Sequence, residues 1–143
     1  MADTKMTQSE REAFLADVHV GVLSIPRAGA DAPLTAPIWY DYEPGGEIRL
    51  LTGAESRKGV LLSEGTRVTL VAQQEALPYA YVSVEGAVTA IRPATTEDTR
   101  PMAQRYLGEE MGNDYAEANT GNSSVHVTIR PRRWLTVDYA KMR

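Results

Sequence analysis

Along most of the chain apolar residues recur at every second position, the period of a β-strand, and three stretches depart from it toward helix. The first departure is near the N-terminus. Thr7 and Glu10 have the spacing of a capping box, in which a hydroxyl and a carboxylate each satisfy a free backbone donor, ahead of Phe14 and Leu15; a helix is predicted near residues 7–17. VHVGVLSIP is β-branched and apolar, and after the turn-rich RAGADAP the stretch LTAPIWYDYE alternates in period two, predicting a strand pair. PGG at residues 44–46 marks a tight turn, because proline fixes one dihedral and glycine permits positive φ, and EIRLLTG returns as a third strand. The second departure covers 56–64, where Val60, Leu61 and Leu62 fall on one side of a helical net that Gly65 ends.

RVTLVAQQE and YAYVSVEGAVTAIRP bring the count to five strands, with Gly86 a candidate bulge where a barrel must curve. The third departure, TTEDTRPMAQRYLGEEMGNDYAEAN, is rich in helix formers and interrupted by Pro101, Gly108 and Gly112, so two or three short helical pieces are predicted. SSVHVTIRP and RRWLTVDYA then read as strands six and seven, separated by a turn at Pro131. Short connections and frequent turn signals favour a mainly antiparallel β-barrel with flanking helices over a parallel α/β sheet. The 143 residues suit a single domain over 1–143, with residues 1–6 as a disordered tail.

Composition narrows the chemistry by exclusion. A net charge of −4 argues against general affinity for nucleic acid, since phosphate binding needs a cationic surface. The lack of cysteine removes disulfides, thiolate nucleophiles and thiolate metal sites together. The polar start MADTKMTQSEREAF lacks the apolar core of a signal peptide, and no run approaches the ~18 apolar residues of a spanning helix, so a cytoplasmic protein away from membranes is expected. His19 and His126 lie singly in alternating apolar runs without a second ligand at metal spacing, and are expected to be strand residues satisfied by neighbours. GxSxG, GxxxxGK[ST] and GxGxxG are absent, so no catalytic residue is assigned and no metal is expected.

Two stretches carry candidate chemistry. If a helix begins near Ser56, Arg57 and Lys58 occupy its first turn, the electropositive end, where cations are unfavourable unless something negative stands nearby. Glu55 can offset them, or a ligand phosphate can be held by the helix start, the Ser56 hydroxyl and both cations. In APIWYDYE, Ile38, Tyr40 and Tyr42 point one way and Trp39, Asp41 and Glu43 the other. A strand with aromatic groups on both faces suits core packing or a wall for a planar ring. Tyr79 and Tyr81 carry the same two readings, and Arg130, Arg132 and Arg133 beside Trp134 read as a solvated rim or a second anion contact.

The order of a first helix, HVGVLSIP, PLTAPIWYDYE, EIRLLTG followed by SRKGVLL, RVTLVAQQE and YVSVEGAVTAI resembles the FMN-binding split β-barrel proteins related to pyridoxine 5′-phosphate oxidase, over about residues 8–140. It is most similar to the actinobacterial branch that uses the deazaflavin coenzyme F420, the most specific part being a strand, then T-x-x-x-S-R-K, then a short helix. The resemblance implies a split barrel of six or seven antiparallel strands, a homodimer, and a cofactor in each of two grooves between subunits. It implies that Arg57 and Lys58 grip the cofactor phosphate with Ser56 and Thr52, that Pro37, Ile38, Trp39 and Tyr40 lie along the ring largely through backbone, that Gln73 sits near the groove, and that Trp134 of the other subunit completes the wall. The implied activity is F420-dependent reduction of a small conjugated or quinone-like compound, with Tyr40 or Tyr81 a candidate hydrogen-bond donor to substrate. The alternatives are a non-catalytic carrier of flavin, F420, haem or fatty acid in the same fold, and an FMN-dependent oxidase of the pyridoxine phosphate type. Leu61 departs from the pattern, since many relatives have asparagine there.

Overall fold

A computed structural model describes residues 3–29 and 32–142; residues 1, 2 and 143, and residues 30 and 31 of the RAGADAP turn, lie outside the described residues. The elements in order are α1 (Gln8–Ala16), β1 (Gly21–Ile25), β2 (Leu34–Ile38), β3 (Tyr40–Tyr42), β4 (Ile48–Gly53), α2 (Arg57–Leu61), β5 (Arg67–Gln74), β6 (Ala80–Pro93), α3 (Thr96–Leu107), α4 (Glu109–Ala118) and β7 (Ser124–Asp138), followed by a 3₁₀ turn at Tyr139–Lys141. The seven strands form one antiparallel sheet in the order β2-β1-β5-β6-β7-β4-β3. Its two edge strands are consecutive in the chain, joined only through Trp39, so the same extended segment closes the sheet into a barrel. β2 and β3 remain the edge strands, and at 5 and 3 residues they offer only short templates for pairing with another chain.

The predicted capping box is formed: the Thr7 hydroxyl accepts from the Glu10 amide and the Glu10 carboxylate accepts from the Thr7 amide. Alternation gives each strand one inward face, and Leu23, Tyr40, Leu50, Leu70, Val82 and Val127 are fully buried in the shared core. The α3–α4 hairpin turns at Gly108, whose φ of +87° suits only glycine. At Gly112 a Cβ would collide with the backbone of Gln104, so glycine lets α4 lie close against α3.

Four expectations need correction. LTAPIWYDYE is two strands, β2 pairing with β1 and β3 with β4, because the chain changes partners at Trp39. The expected turn at Pro131 is absent, and β7 runs through it as one strand of 15 residues. Pro131 is tolerated because the ladder shifts register there: Glu85 pairs with Arg133 and Gly86 with Pro131, leaving Arg132 as the extra residue of a bulge where the missing donor is not needed. Likewise Pro101 lies inside α3, on its exposed side, and only Gly108 interrupts the helical stretch. Finally, of the expected tail over 1–6, Thr4 and Met6 are docked rather than free, while residues 1 and 2 lie outside the described residues. The Met6 amide donates to the buried Thr136 hydroxyl at 3.0 Å, the Thr4 carbonyl accepts from Asp138, and Met6 itself is buried.

Gly86 sits at the bulge as expected from the sequence, and the packing explains why. A Cβ there would run into the Arg130 carbonyl and lie 2.8 Å from the Ile129 side chain. Gly86→Ala is expected to lower unfolding free energy by about 1–3 kcal/mol through overpacking, measured as a shift in the urea midpoint with unchanged slope.

Candidate cofactor corner and the adjoining cavity

The end of β4 turns sharply into α2, and one hydroxyl holds the turn. Ser56 donates to the Gly53 carbonyl at 2.7 Å, accepts from the Gly59 amide at 3.0 Å and shares a hydrogen bond of 3.1 Å with the buried Thr52 hydroxyl. A hydroxyl offers one donor and two acceptor positions, so Ser56 is saturated as an N-cap. Gly59 is required because any Cβ would meet the Gly53 carbonyl. The Leu61 side chain packs against the core and Leu62 is buried, which anchors the far end of α2 by apolar contact.

Arg57 is exposed and Lys58 half-buried, and neither makes an ion pair or side-chain hydrogen bond with another described residue. Glu55 does not neutralise them. Because α2 spans five residues, little dipole accumulates, and the positive potential of this corner belongs to the two side chains. Beside β3 two cationic side chains share one carboxylate: Arg49 meets Asp41 at 2.6 Å, and Arg105 lies 3.7 Å from it.

The break at Trp39 is held by α3. The Tyr106 hydroxyl donates to the His19 carbonyl at 2.7 Å, lies 2.9 Å from the Tyr40 carbonyl, and accepts from the Tyr40 amide at 3.0 Å. Arg105 donates to the Tyr40 carbonyl at 3.0 Å and to the Asp17 carbonyl at 2.8 Å. Ile38 and Tyr40 point into the core, while the Trp39 ring lies outside it, stacked on Tyr106 at 4.9 Å with an interplanar angle of 8° and tilted by 50° to Tyr115 at 5.5 Å. Sequence reading missed Arg105 and Tyr106. Their only signal was a position within a helical stretch, since the groups they bond are backbone atoms distant in the chain.

Tyr40 cannot serve as a donor to substrate. Its side chain is fully buried, its hydroxyl donates to the Leu15 carbonyl at 2.6 Å, and desolvation raises its pKa above the ordinary phenol value. Tyr81 is half-buried on the outer face of the barrel. Between β4, the start of α3 and the end of α4 lies a cavity of about 200 Å³ lined by Trp39, Thr52, Thr99, Tyr115, Asn122 and Ser124 among others. Of the residues expected around a cofactor, Trp39 and Thr52 thus meet at one cavity, and Ser56 links Thr52 to the Arg57–Lys58 corner. Pro37 and Gln73 are exposed on the outer sheet face, Pro37 paired with Val22 and Gln73 with Tyr81. Trp134 stands elsewhere, edge-on to Tyr42 at 6.3 Å and under the Arg11 guanidinium at 4.8 Å.

No protein-family model matches the chain, and no curated protein matches it. Solved structures do. A conserved hypothetical protein of Mycobacterium tuberculosis superposes with a TM-score of 0.77 at 25% identity, covering 99% of this chain and 91% of that one. A structure described as an F420 reductase gives 0.68 at 20% identity, covering 87% of this chain and 94% of that one. A putative pyridoxamine 5′-phosphate oxidase of Listeria innocua gives 0.64 at 16% identity, covering 90% and 96%. The chain has the split-barrel fold. The likeness reaches the whole split barrel, flanking helices included, as the coverage shows.

Of the two histidines expected to be strand residues satisfied by neighbours, His126 lies on β7 but makes no side-chain hydrogen bond with another described residue, and His19 precedes β1. His19 stacks on Phe14 at 4.6 Å, its ring nitrogen 3.1 Å from the Phe14 carbonyl. His126 on β7 is half-buried, and desolvation, then the Arg92 charge, lowers its pKa below the ordinary value, so it is neutral near pH 7. Among the described residues no group of three His, Asp or Glu side chains could hold a metal, and no helix is long and apolar enough to cross a membrane.

Ser56→Ala is expected to destabilise the split barrel by about 1 kcal/mol, the usual cost of losing an N-cap, read from urea denaturation. Ser56→Asn, which retains a capping oxygen, is expected to recover most of that loss.

Proposed function

We propose that this split barrel binds the deazaflavin F420 as a homodimer, with the cofactor in a groove between subunits, and passes hydride to a small conjugated or quinone-like compound. The observation that carries the reading is the pair of uncompensated cations, Arg57 and Lys58, at the β4–α2 corner of a barrel similar to that of an F420 reductase. Adjacent cations without partners of their own are available to an anion, and a cofactor phosphate suits them. Charge-assisted bonds from Arg57 and Lys58 would hold it, while the fixed backbone from Pro37 to Tyr40 would face the ring system. When bound, F420 supplies hydride from its C5 carbon. The protein's own part is orientation and exclusion of water. Trp39 cannot swing freely because Tyr106 stacks on it and clamps the Tyr40 backbone, so the wall is preorganised before ligand arrives. An acid–base triad is unnecessary for this chemistry, and none is assigned.

The outer sheet face supports the homodimer. Pro37, Val22, Val71, Ser83 and Leu135 form one row across five strands, and Gln73, Tyr81 and Val137 form the next. Leu135 is 61% exposed, and Leu77, Tyr79 and Tyr139 at the same end are exposed too. A contiguous apolar face of this kind is covered in stable proteins, and a two-fold copy presents the matching surface. On that arrangement Pro37 and Gln73 reach the groove from the interface side, which is why they share no cavity with Trp39 within one chain.

FMN is the alternative cofactor, its phosphate meeting the same cations. Titration with F420 and FMN, followed by fluorescence quenching, separates them. Arg57→Ala and Lys58→Ala are each expected to weaken binding about ten- to hundred-fold, the loss of one charge-assisted contact of about 1.5–3 kcal/mol. Unchanged affinity for both cofactors in both variants would remove the phosphate assignment. Tight binding with no oxidation of reduced F420 by any acceptor would favour a carrier instead. In light scattering, Leu135→Arg is expected to turn the dimer into a monomer and to abolish cofactor binding together with it.

A further inference from the structure

We infer that the cavity between the α3–α4 hairpin and β4 is a second ligand site, selective for a neutral compound of one ring carrying a hydrogen-bonding substituent. Size sets the first limit. A cavity of roughly 150 Å³ accepts benzene, and this one is about 200 Å³. A single ring with a small substituent fits within it.

The walls set the second limit. Trp39 is pinned on one side by its parallel stack with Tyr106, and the 50° tilt of Tyr115 leaves the two rings diverging rather than closed on each other. An aromatic ligand entering between them gains ring contact with both. The polar lining is unspent in part. The Ser124 hydroxyl, the Tyr115 hydroxyl and the Asn122 side-chain oxygen make no hydrogen bond with another described residue, while the Asn122 amide nitrogen is fixed on Asn119. A substituent that both donates and accepts has partners on this rim.

Charge sets the third. No lining residue is ionisable apart from the Tyr115 phenol, and the nearby ions face away into pairs of their own: Asp98 with Arg92 at 2.7 Å and Glu97 with Arg100 at 3.3 Å. A carboxylate or phosphate entering would lose hydration and meet no counter-charge among the lining residues, so neutral ligands are preferred. The cavity shares Trp39 and Thr52 with the cofactor reading, but Arg57 and Lys58, which carry that reading, are not among its lining residues.

Benzamide and benzoate, nearly equal in shape and different in charge, test it. The chain holds two tryptophans, so Trp134→Phe leaves Trp39 as the only reporter. Benzamide is expected to change Trp39 emission saturably with a dissociation constant of about a millimolar, the range a ligand of this size reaches. Benzoate is expected to bind at least about ten-fold more weakly. Thr99→Phe in the same background, with its melting temperature retained, is expected to abolish the response by filling the cavity, and Ser124→Leu is read in its place if Thr99→Phe does not fold. If Trp134→Phe does not fold, saturation-transfer NMR of benzamide on the unaltered protein gives the same comparison. The inference is overturned if benzamide shows no saturation, if benzoate binds as well, or if filling the cavity leaves binding unchanged. Arg57→Ala is expected to leave benzamide binding intact, so a failed F420 titration and a failed benzamide titration have different meanings.

Discussion

Everything near the candidate site depends on how one backbone segment is held where the barrel closes. Between Ile38 and Tyr40 the chain leaves one edge of the sheet and joins the other, and a residue making that transition loses its regular ladder partners. Tyr106 and Arg105 of α3 supply replacements, bonding the Tyr40 amide and carbonyl. Leaving such groups unpaired in a half-buried place would cost about 1–3 kcal/mol each. The same bonds attach the helical hairpin to the barrel, so closure of the sheet and placement of the hairpin are one event.

From that joint the other features follow. Trp39, placed at the change of partners, is turned out of the core and becomes a wall of the cavity. Tyr106 acts twice, its hydroxyl on the backbone and its ring against Trp39. Arg105 is also placed twice, bonded to carbonyls and close to Asp41, which is itself paired with Arg49. The barrel thus compensates its charges where the chain is closed, and leaves Arg57 and Lys58 uncompensated one turn past the end of β4.

Much of this was legible in the sequence, for reasons that can be named. The capping box at Thr7 and Glu10, the alternation that sends Ile38, Tyr40 and Tyr42 inward, and the bulge at Gly86 are all local: neighbours in sequence decide them. The run SRKGVLL announced a short helix with two cations at its start, and the structure keeps both. Less legible were Pro131 and Pro101. Each reads as a breaker from its own chemistry, yet a partner strand with a spare residue absorbs the first, and an exposed helix side absorbs the second. Seven strands were counted from the sequence and seven are present, but one expected strand proved to be two and two proved to be one.

The sequence by itself determined the periods, caps and turns, and therefore a mainly antiparallel barrel with an unbalanced cationic corner, because these rest on interactions between residues a few positions apart. Only the tertiary structure decided which strand Trp39 abandons and which it joins, and that Tyr106 and Arg105 carry the closure. Those outcomes turn on hydrogen bonds to backbone groups 65 or more residues away, such as Arg105 on Tyr40. A backbone carbonyl is the same chemical group at every position, so no side-chain pattern along the chain could have marked which one would be met.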